Sequence, residues 1–197
     1  MRCILFRKAF PWLNQDLEEL PNVQLRGDKV LIREKTIEDI PDEYEWRVDD
    51  ELSRLDATRP LSMSYESFLR YSKEEMEFAS YRSKRLAVDT LDGIHIGNVM
   101  YYDLNVGRKQ TELGIMIGHK EYWGKGYGTD TLFTVLRYIF LTLNLKRVYL
   151  HTLAWNYRAQ SAFSKAGFKN VKQVRRGGQD FLLMEILYDD WVSHSEE

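Results

Sequence analysis

The rhythm of hydrophobic and polar positions changes twice along the 197-residue chain. "KVLIREKT" opens as a strand, and acid-rich stretches follow. Ser64 precedes Phe68, Tyr71 and Met76 at nearly helical spacing, so helices are predicted around 37–52 and 64–79. The period then becomes two. "RLAVDT", "IHIGNVMYYDLNV" and "QTELGIMIG" alternate apolar with polar and are separated by "LDG" and "VGRKQ", which read as turns. Next, apolar residues at 132, 135, 136, 139, 140 and 143 form one stripe of a helix from Thr129 to about Asn144. "KRVYLHTLA" is a strand and "NYRAQSAFSKAG" a helix closed by Gly167, while "FKNVKQVRR" and "DFLLMEILY" form a last strand pair.

Antiparallel strands followed by strand–helix–strand–helix predict a single α+β domain. Its centre is a mixed, mostly antiparallel sheet of about six to seven strands with helices on both faces. Residues 29–192 form this domain, with 193–197 as a tail. Residues 1–28 are expected to be an N-terminal extension, because "DLEEL" and Pro21 interrupt Phe6, Phe10, Trp12 and Leu13. The extension would pack on the domain or on a partner subunit, which makes a homodimer the candidate assembly.

Composition narrows the function classes. A net charge of −2 and a pI near 6.1 give no basic footprint for nucleic acid. With Cys3 alone there is no intramolecular disulfide, and a reducing, cytoplasmic setting is expected. His95, His119, His151 and His194 lack metal-ligand spacing, so no metal is expected. The longest apolar run is broken by Arg137 and Thr142, too short for a membrane span.

The candidate chemistry begins at "YWGKGYGTD", where Gly124, Gly126 and Gly128 stand at every second position before a helix. A helix N-terminus offers unpaired N–H groups and the positive dipole end, and glycines let a phosphate approach the backbone. The same spacing is also compatible with a flexible loop that binds nothing. A Walker loop is excluded because no Ser or Thr follows the lysine, and a dinucleotide turn because residue 129 is threonine.

These residues resemble the GCN5-related N-acetyltransferases (GNAT), whose acetyl-CoA turn reads Q/R-x-x-G-x-G/A between a strand and a helix. Here it corresponds to Trp123, Gly124, Lys125, Gly126, Tyr127 and Gly128. A second block, an Asn followed by a helix and "GF", corresponds to "NYRAQSAFSKAGF" from Asn156. The order of elements matches from about Val30 to Trp191, and the wording is most similar to the branch of ribosomal-protein and spermidine acetyltransferases. The resemblance implies strands splayed around acetyl-CoA as acetyl donor. Amides from Gly124 to Thr129 would hold its pyrophosphate, the backbone of Met116, Ile117 and Gly118 would pair with the pantetheine, and Asn156 would bond that arm near the thioester. It further implies transfer to a primary amine by direct attack in a ternary complex: a protein N-terminus, a polyamine or another small amine. The alternative is a catalytically silent acyl-CoA-binding regulatory domain.

In "TELGIMIG", Glu112 shares a face with Gly114, Met116 and Gly118, while Leu113, Ile115 and Ile117 face the other way. An attacking amine must lose a proton, and Glu112 is the candidate acceptor, directly or through water. An N–H near Met116 or Ile117 would polarise the thioester carbonyl. Two residues depart from the family pattern. Trp123 stands for Gln or Arg, and Phe163 for the tyrosine that protonates the leaving thiolate. Ser161 is about 200° around the helix from Phe163 and is expected to face away. Tyr101, Tyr102 and His151 are expected to be packing residues. Between Glu38 and Asp56, nine acids and two arginines give −9 + 2 = −7, either a solvated face or a field that draws in a cationic amine.

Overall fold

The computed structural model describes residues 23–78, 80 and 82–195. The apolar content of the extension before Val23 lies outside these residues. The strands are β1 (Gln24–Arg26), β2 (Val30–Glu34), β3 (Lys84–Thr90), β4 (His95–Asn105), β5 (Gln110–Ile117), β6 (Arg147–Leu153), β7 (Lys169–Arg176) and β8 (Gln179–Leu187). They form one eight-stranded sheet in the order β1-β2-β3-β4-β5-β6-β8-β7. Every neighbouring pair is antiparallel except β5 with β6. The count exceeds the expected range because Gln24–Arg26, read as the end of the extension, pairs with Leu31–Arg33 as an edge strand. Three residues are too short to show a period-two signal.

The helices are α1 (Ile40–Val48), α2 (Asp50–Leu55), α3 (Tyr65–Glu77), α4 (Tyr127–Arg137), α5 (Tyr157–Lys165) and α6 (Tyr188–Ser195). The expected helix over 129–144 begins two residues earlier and widens into a π-helical turn, Tyr138–Thr142, in which Tyr138, Ile139 and Phe140 are all buried. α6 runs from the last residue of the expected final strand, through 189–192 where no element is expected, into the expected tail. Its Trp191 packs on Phe140 with ring centres 5.3 Å apart.

The main core lies between one sheet face and α4–α5. Ile32, Leu86, Val88, Val99, Leu113, Val148 and Leu150 meet Leu132, Val135 and Leu136 there, all buried. Each strand contributes alternate residues, so the intervening ones face the other side. That side receives α1 by ionic contacts. Arg33 on β2 bonds Asp39 at 2.7 and 2.8 Å and Asp89 on β3 at 2.6 and 3.1 Å. Lys35 pairs with buried Glu43. At the far end of α1, Trp46 lies so close to Gly118 that a Cβ there would stand 2.0 Å from its ring.

Asp130, in the first turn of α4, ties the β1–β2 turn to that helix. It accepts from the backbone N–H of Asp28 (3.2 Å), Lys29 (2.8 Å) and Val30 (3.0 Å). Asp130→Ala should cost about 2 kcal/mol by stranding these donors, lowering Tm by roughly 4–8 °C in a chain of this size. Thermal unfolding checks this, and Asp130→Asn, which keeps a carbonyl acceptor, should lose less.

Candidate functional site

β5 and β6 are hydrogen-bonded only where Gln110, Thr111 and Glu112 face Arg147, Val148 and Tyr149. Beyond that row the two strands part, β5 running on to Ile117 and β6 to Leu153. Parallel neighbours that separate leave unsatisfied N–H and C=O groups along their inner edges, which an extended ligand can pair with as an added strand. The gap opens into a cavity of about 320 Å³ whose walls include Ile115, Met116 and Ile117 on one side and Asn156 and α5 on the other.

The glycine turn closes one end. Trp123, Gly124, Gly126, Gly128 and Thr129 all border the cavity. Gly124 and Gly126 have φ of +71° and +88°, left-handed values that a branched side chain resists. Gly126 is the N-cap of α4 and supplies no side chain to cap it, so the first N–H groups of the helix remain available to an anion. A Cβ on Gly126 would find only the Lys29 side chain, 3.7 Å away, so backbone conformation rather than crowding demands glycine here.

Asn156 is the N-cap of α5. Its side-chain oxygen accepts from Ala159 N at 3.2 Å, leaving the amide N–H₂ to donate into the cavity it borders. Phe163 is buried, lines the cavity and packs on Phe168 at 5.9 Å. Ser161 lines it as well, contrary to the expectation that it faces away. The cavity covers a wide stripe of α5 that takes in Arg158, Ser161, Ala162 and Lys165 beside Phe163.

Three expected cofactor residues and the expected base lie off the cavity wall. Gly118 is covered by Trp46, and Lys125 is exposed, with its carbonyl accepting from Lys29 Nζ at 3.0 Å. Tyr127 packs on Tyr122 at 5.0 Å. Glu112 faces the opposite side of the sheet. Trp123, the departure from the family turn, donates its indole N–H to Ile117 O at 2.6 Å, and the Arg158 guanidinium lies 3.4 Å over its ring. Burial pushes that guanidinium below its ordinary range.

Tyr102, Glu112 and Tyr149 form one row across β4, β5 and β6, directly opposite one another on the face away from the main core. His151, the next residue on that face of β6, is 2.7 Å from Glu112 Oε1 through Nδ1. About a tenth of each of these two side chains is exposed. A carboxylate has no proton to donate, so Nδ1 carries the hydrogen, and in the neutral imidazole Nε2 then holds the lone pair. Burial, then the charge of Glu112, pushes the Tyr102 phenol far up, so it stays protonated opposite Glu112. Tyr102 and His151 therefore do more than the packing expected of them. Sequence spacing carried no signal of this, because the three residues meet only through strand pairing.

Asp56, just past α2, also lines the cavity. Although 43% of its side chain is open, the protein crowded around the cleft pushes its carboxyl up, opposed by Arg47 and Arg85. Most other acids of the 38–56 run are already engaged. Asp39 pairs with Arg33, Glu43 with Lys35, and Asp49 and Glu51 share Lys120. Adding these three cations changes the local charge from −7 to −7 + 3 = −4. Any steering field is correspondingly weaker than the sequence suggests. Among the described residues no group of three or more His, Cys, Asp or Glu side chains could hold a metal ion, and no helix is long and apolar enough to cross a membrane.

Against known proteins, the family model described as "Acetyltransferase (GNAT) domain" matches residues 29–169. The human alpha/beta-tubulin-N-acetyltransferase 9 is 27% identical over 165 residues, covering 76% of this chain and 77% of that protein. The spermidine N(1)-acetyltransferase of Vibrio cholerae is 29% identical over 119 residues, 57% of this chain and 68% of that one. The crystal structure of the Vibrio cholerae spermidine N-acetyltransferase in complex with CoA and spermine superposes with a TM-score of 0.73 at 21% identity, over 83% of this chain and 98% of that one. Mycobacterium smegmatis RimJ in complex with CoA-disulfide gives 0.69 at 17% identity, over 86% and 88%. At these identities the structural likeness speaks for the fold.

Two substitutions test the cavity. Gly126→Val should abolish coenzyme A binding while the domain stays folded, because the branched side chain resists φ +88° and the turn loses its shape. Calorimetric titration of a folded variant checks this. Phe163→Tyr should retain activity or raise it, since the ring is nearly isosteric and a hydroxyl would enter the cavity. Severe loss of activity in a folded variant would show that the cavity has no room there.

Proposed function

For this chain, which belongs to the acetyltransferase (GNAT) family and is an acetyl-CoA-dependent N-acetyltransferase, we propose that a primary amine attacks through the gap between β5 and β6 and that the Glu112–His151 pair takes its proton. The observation that carries this reading is the position of the pair. Glu112 is the last β5 residue hydrogen-bonded to β6, so it sits at the vertex of the opening, and His151 is the next residue facing the same way on β6.

The residues fit the donor. The N–H groups behind Gly126 suit the pyrophosphate, the unpaired edge of β5 up to Ile117 suits the pantetheine amides, and Asn156 is placed to donate beside them. The donor supplies an activated thioester carbonyl. Binding there requires Trp123 to release the Ile117 carbonyl or share it, since its indole now holds that acceptor.

The acceptor amine must arrive unprotonated, although free alkylamines titrate near 10. Glu112 is already engaged by Nδ1 of His151, which leaves Nε2 of a neutral His151 as the lone pair the cluster offers to the amine. The amine nitrogen bonds to the acyl carbon, the carbon–sulfur bond breaks, and the amine proton passes to Nε2. Glu112, 2.7 Å from Nδ1, offsets the imidazolium charge that results. Phe163 has no proton to give, so the leaving sulfur takes its proton from water or from the imidazolium. Direct attack needs no acyl-enzyme; no cysteine occurs among the described residues. The acceptor class includes amines of proteins, an N-terminus among them, since one relative is a tubulin N-acetyltransferase, and polyamines, since others are spermidine N-acetyltransferases.

Glu112→Gln and His151→Gln should each lower turnover by roughly a hundredfold while KM for acetyl-CoA stays near the parent value. A thiol-release assay over a panel of amines reads both. Coenzyme A binding with no turnover on any amine would instead make the chain a silent acyl-CoA-binding domain.

A further inference from the structure

The face that carries Glu112 and His151 continues across β6, β8 and β7. Directly paired residues share a face, so His151 leads to Leu183 and then to Lys172, and Leu153 leads to Phe181 and then to Val174. Arg176, two residues beyond Val174, faces the same way. Val174 and Phe181 are half-buried, and Lys172 and Arg176 are exposed. Neither cation has an ion-pair partner among the described residues. By contrast Arg147 on this strand set pairs with Glu185 at 2.7 Å, and Lys169 with Asp190 at 2.7 Å. The β7–β8 hairpin reaches the reaction end of the sheet, since Ala154 N donates to Asp180 O at 2.8 Å. On the other side of that end stands α2, tied across by Arg54 over the Trp155 ring at 5.1 Å. The approach to the gap is thus bordered on one side by α2, with exposed Asp50, with Glu51 paired to Lys120 and, just past the helix, Asp56 paired to Arg47, and on the other by Lys172 and Arg176.

These two walls ask for different charges. An ammonium or an amine suits the acidic wall and the Glu112–His151 pair, while the hairpin suits an anion. A polyamine, cationic along its whole length, would bring its second and third charges towards Lys172 and Arg176. Resting on the acetyl-transfer reading above for where the amine reacts, we propose that the acceptor is the amino terminus of a polypeptide with acidic residues close behind it, laid across the open face of β6, β8 and β7. From His151 to Lys172 is two strand spacings, about 10 Å, and an extended chain advances about 3.3 Å per residue, so the acids belong at roughly the third and fourth positions. Leu183, Phe181 and Val174 give the intervening residues an apolar floor.

The test uses two octapeptides identical except for Glu or Lys at positions 3 and 4, together with spermidine, on the full chain and on Lys172→Glu/Arg176→Glu. Thiol release measures kcat/KM, and anisotropy of the same peptides labelled at the C-terminus measures binding without requiring turnover. The Glu peptide should exceed both the Lys peptide and spermidine by about tenfold or more in the parent, with the advantage lost or reversed in the variant and shrinking with salt. Calorimetric binding of coenzyme A to the variant should match the parent, which shows that the fold is retained. If the Lys peptide or spermidine is preferred, or if the double substitution changes nothing, the proposal is overturned. Selective, charge-dependent binding of the Glu peptide with no acetylation would uphold this surface and count against the reaction assigned above.

Discussion

A backbone hydrogen bond left unmade organises this molecule. Six of the seven neighbouring strand pairs run along ordinary ladders, but β5 and β6 share only the row from Gln110 to Glu112 before they separate. Buried backbone N–H and C=O groups are seldom left unpaired, so such an edge holds only where a ligand, water or side chain can reach it. Trp123 answers part of that demand by bonding the Ile117 carbonyl, and Arg158 in turn stacks on its indole. The residue that departs from the family turn therefore has a use the family pattern does not suggest. It occupies an acceptor on the edge where the pantetheine is expected, so its release is coupled to filling the cavity.

Keeping two strands apart requires the rest of the sheet to be held firmly. On the core side α4 and α5 wedge against Leu113, Val148 and Leu150. On the other side charge substitutes for apolar area: Arg33 is shared between Asp39 and Asp89, and its guanidinium is pushed up chiefly by its hydrogen bond to Asp39. Asp39 belongs to an acidic run that, read as sequence, looks like a solvated face or a steering field. Asp39 and Glu43 are instead buried partners of cations on β2 and the residue after it, and removing one partner of such a pair leaves an uncompensated buried charge. Of this run it is Asp56, with Arg47 at 3.1 Å from its carboxylate, that borders the cavity.

What was legible in the chain follows from range. Period-two alternation from Arg85 to Ile117 and the 3.6-period stripe from Leu132 are local, and both elements stand where they were expected. The glycines at 124 and 126 were legible for the same reason, because a positive φ ahead of a helix is a property of the turn itself. β1 escaped notice since three residues carry no period, and α6 because Tyr188 follows an apolar strand without a break. The cluster of Tyr102, Glu112 and His151 could not be read at all without the register that sets β4, β5 and β6 side by side. Residues 102 and 151 are ordinary strand aromatics until a carboxylate is placed between them.

That register also divides the chemistry by face. Odd residues of β5, Leu113 and Ile115, face α4 and α5, where the wall is largely apolar and offers backbone amides; Glu112 faces the side where Tyr102, Tyr149 and His151 stand. An intact sheet would keep these two environments apart. In the reaction proposed above, the parting of β5 and β6 just beyond Glu112 is what would bring an acyl group held on one side within reach of an amine on the other, where His151 takes its proton. A one-residue slip of β5 would put Glu112 into the apolar core and Leu113 beside His151, so the alternation that builds the core also fixes which face carries the base.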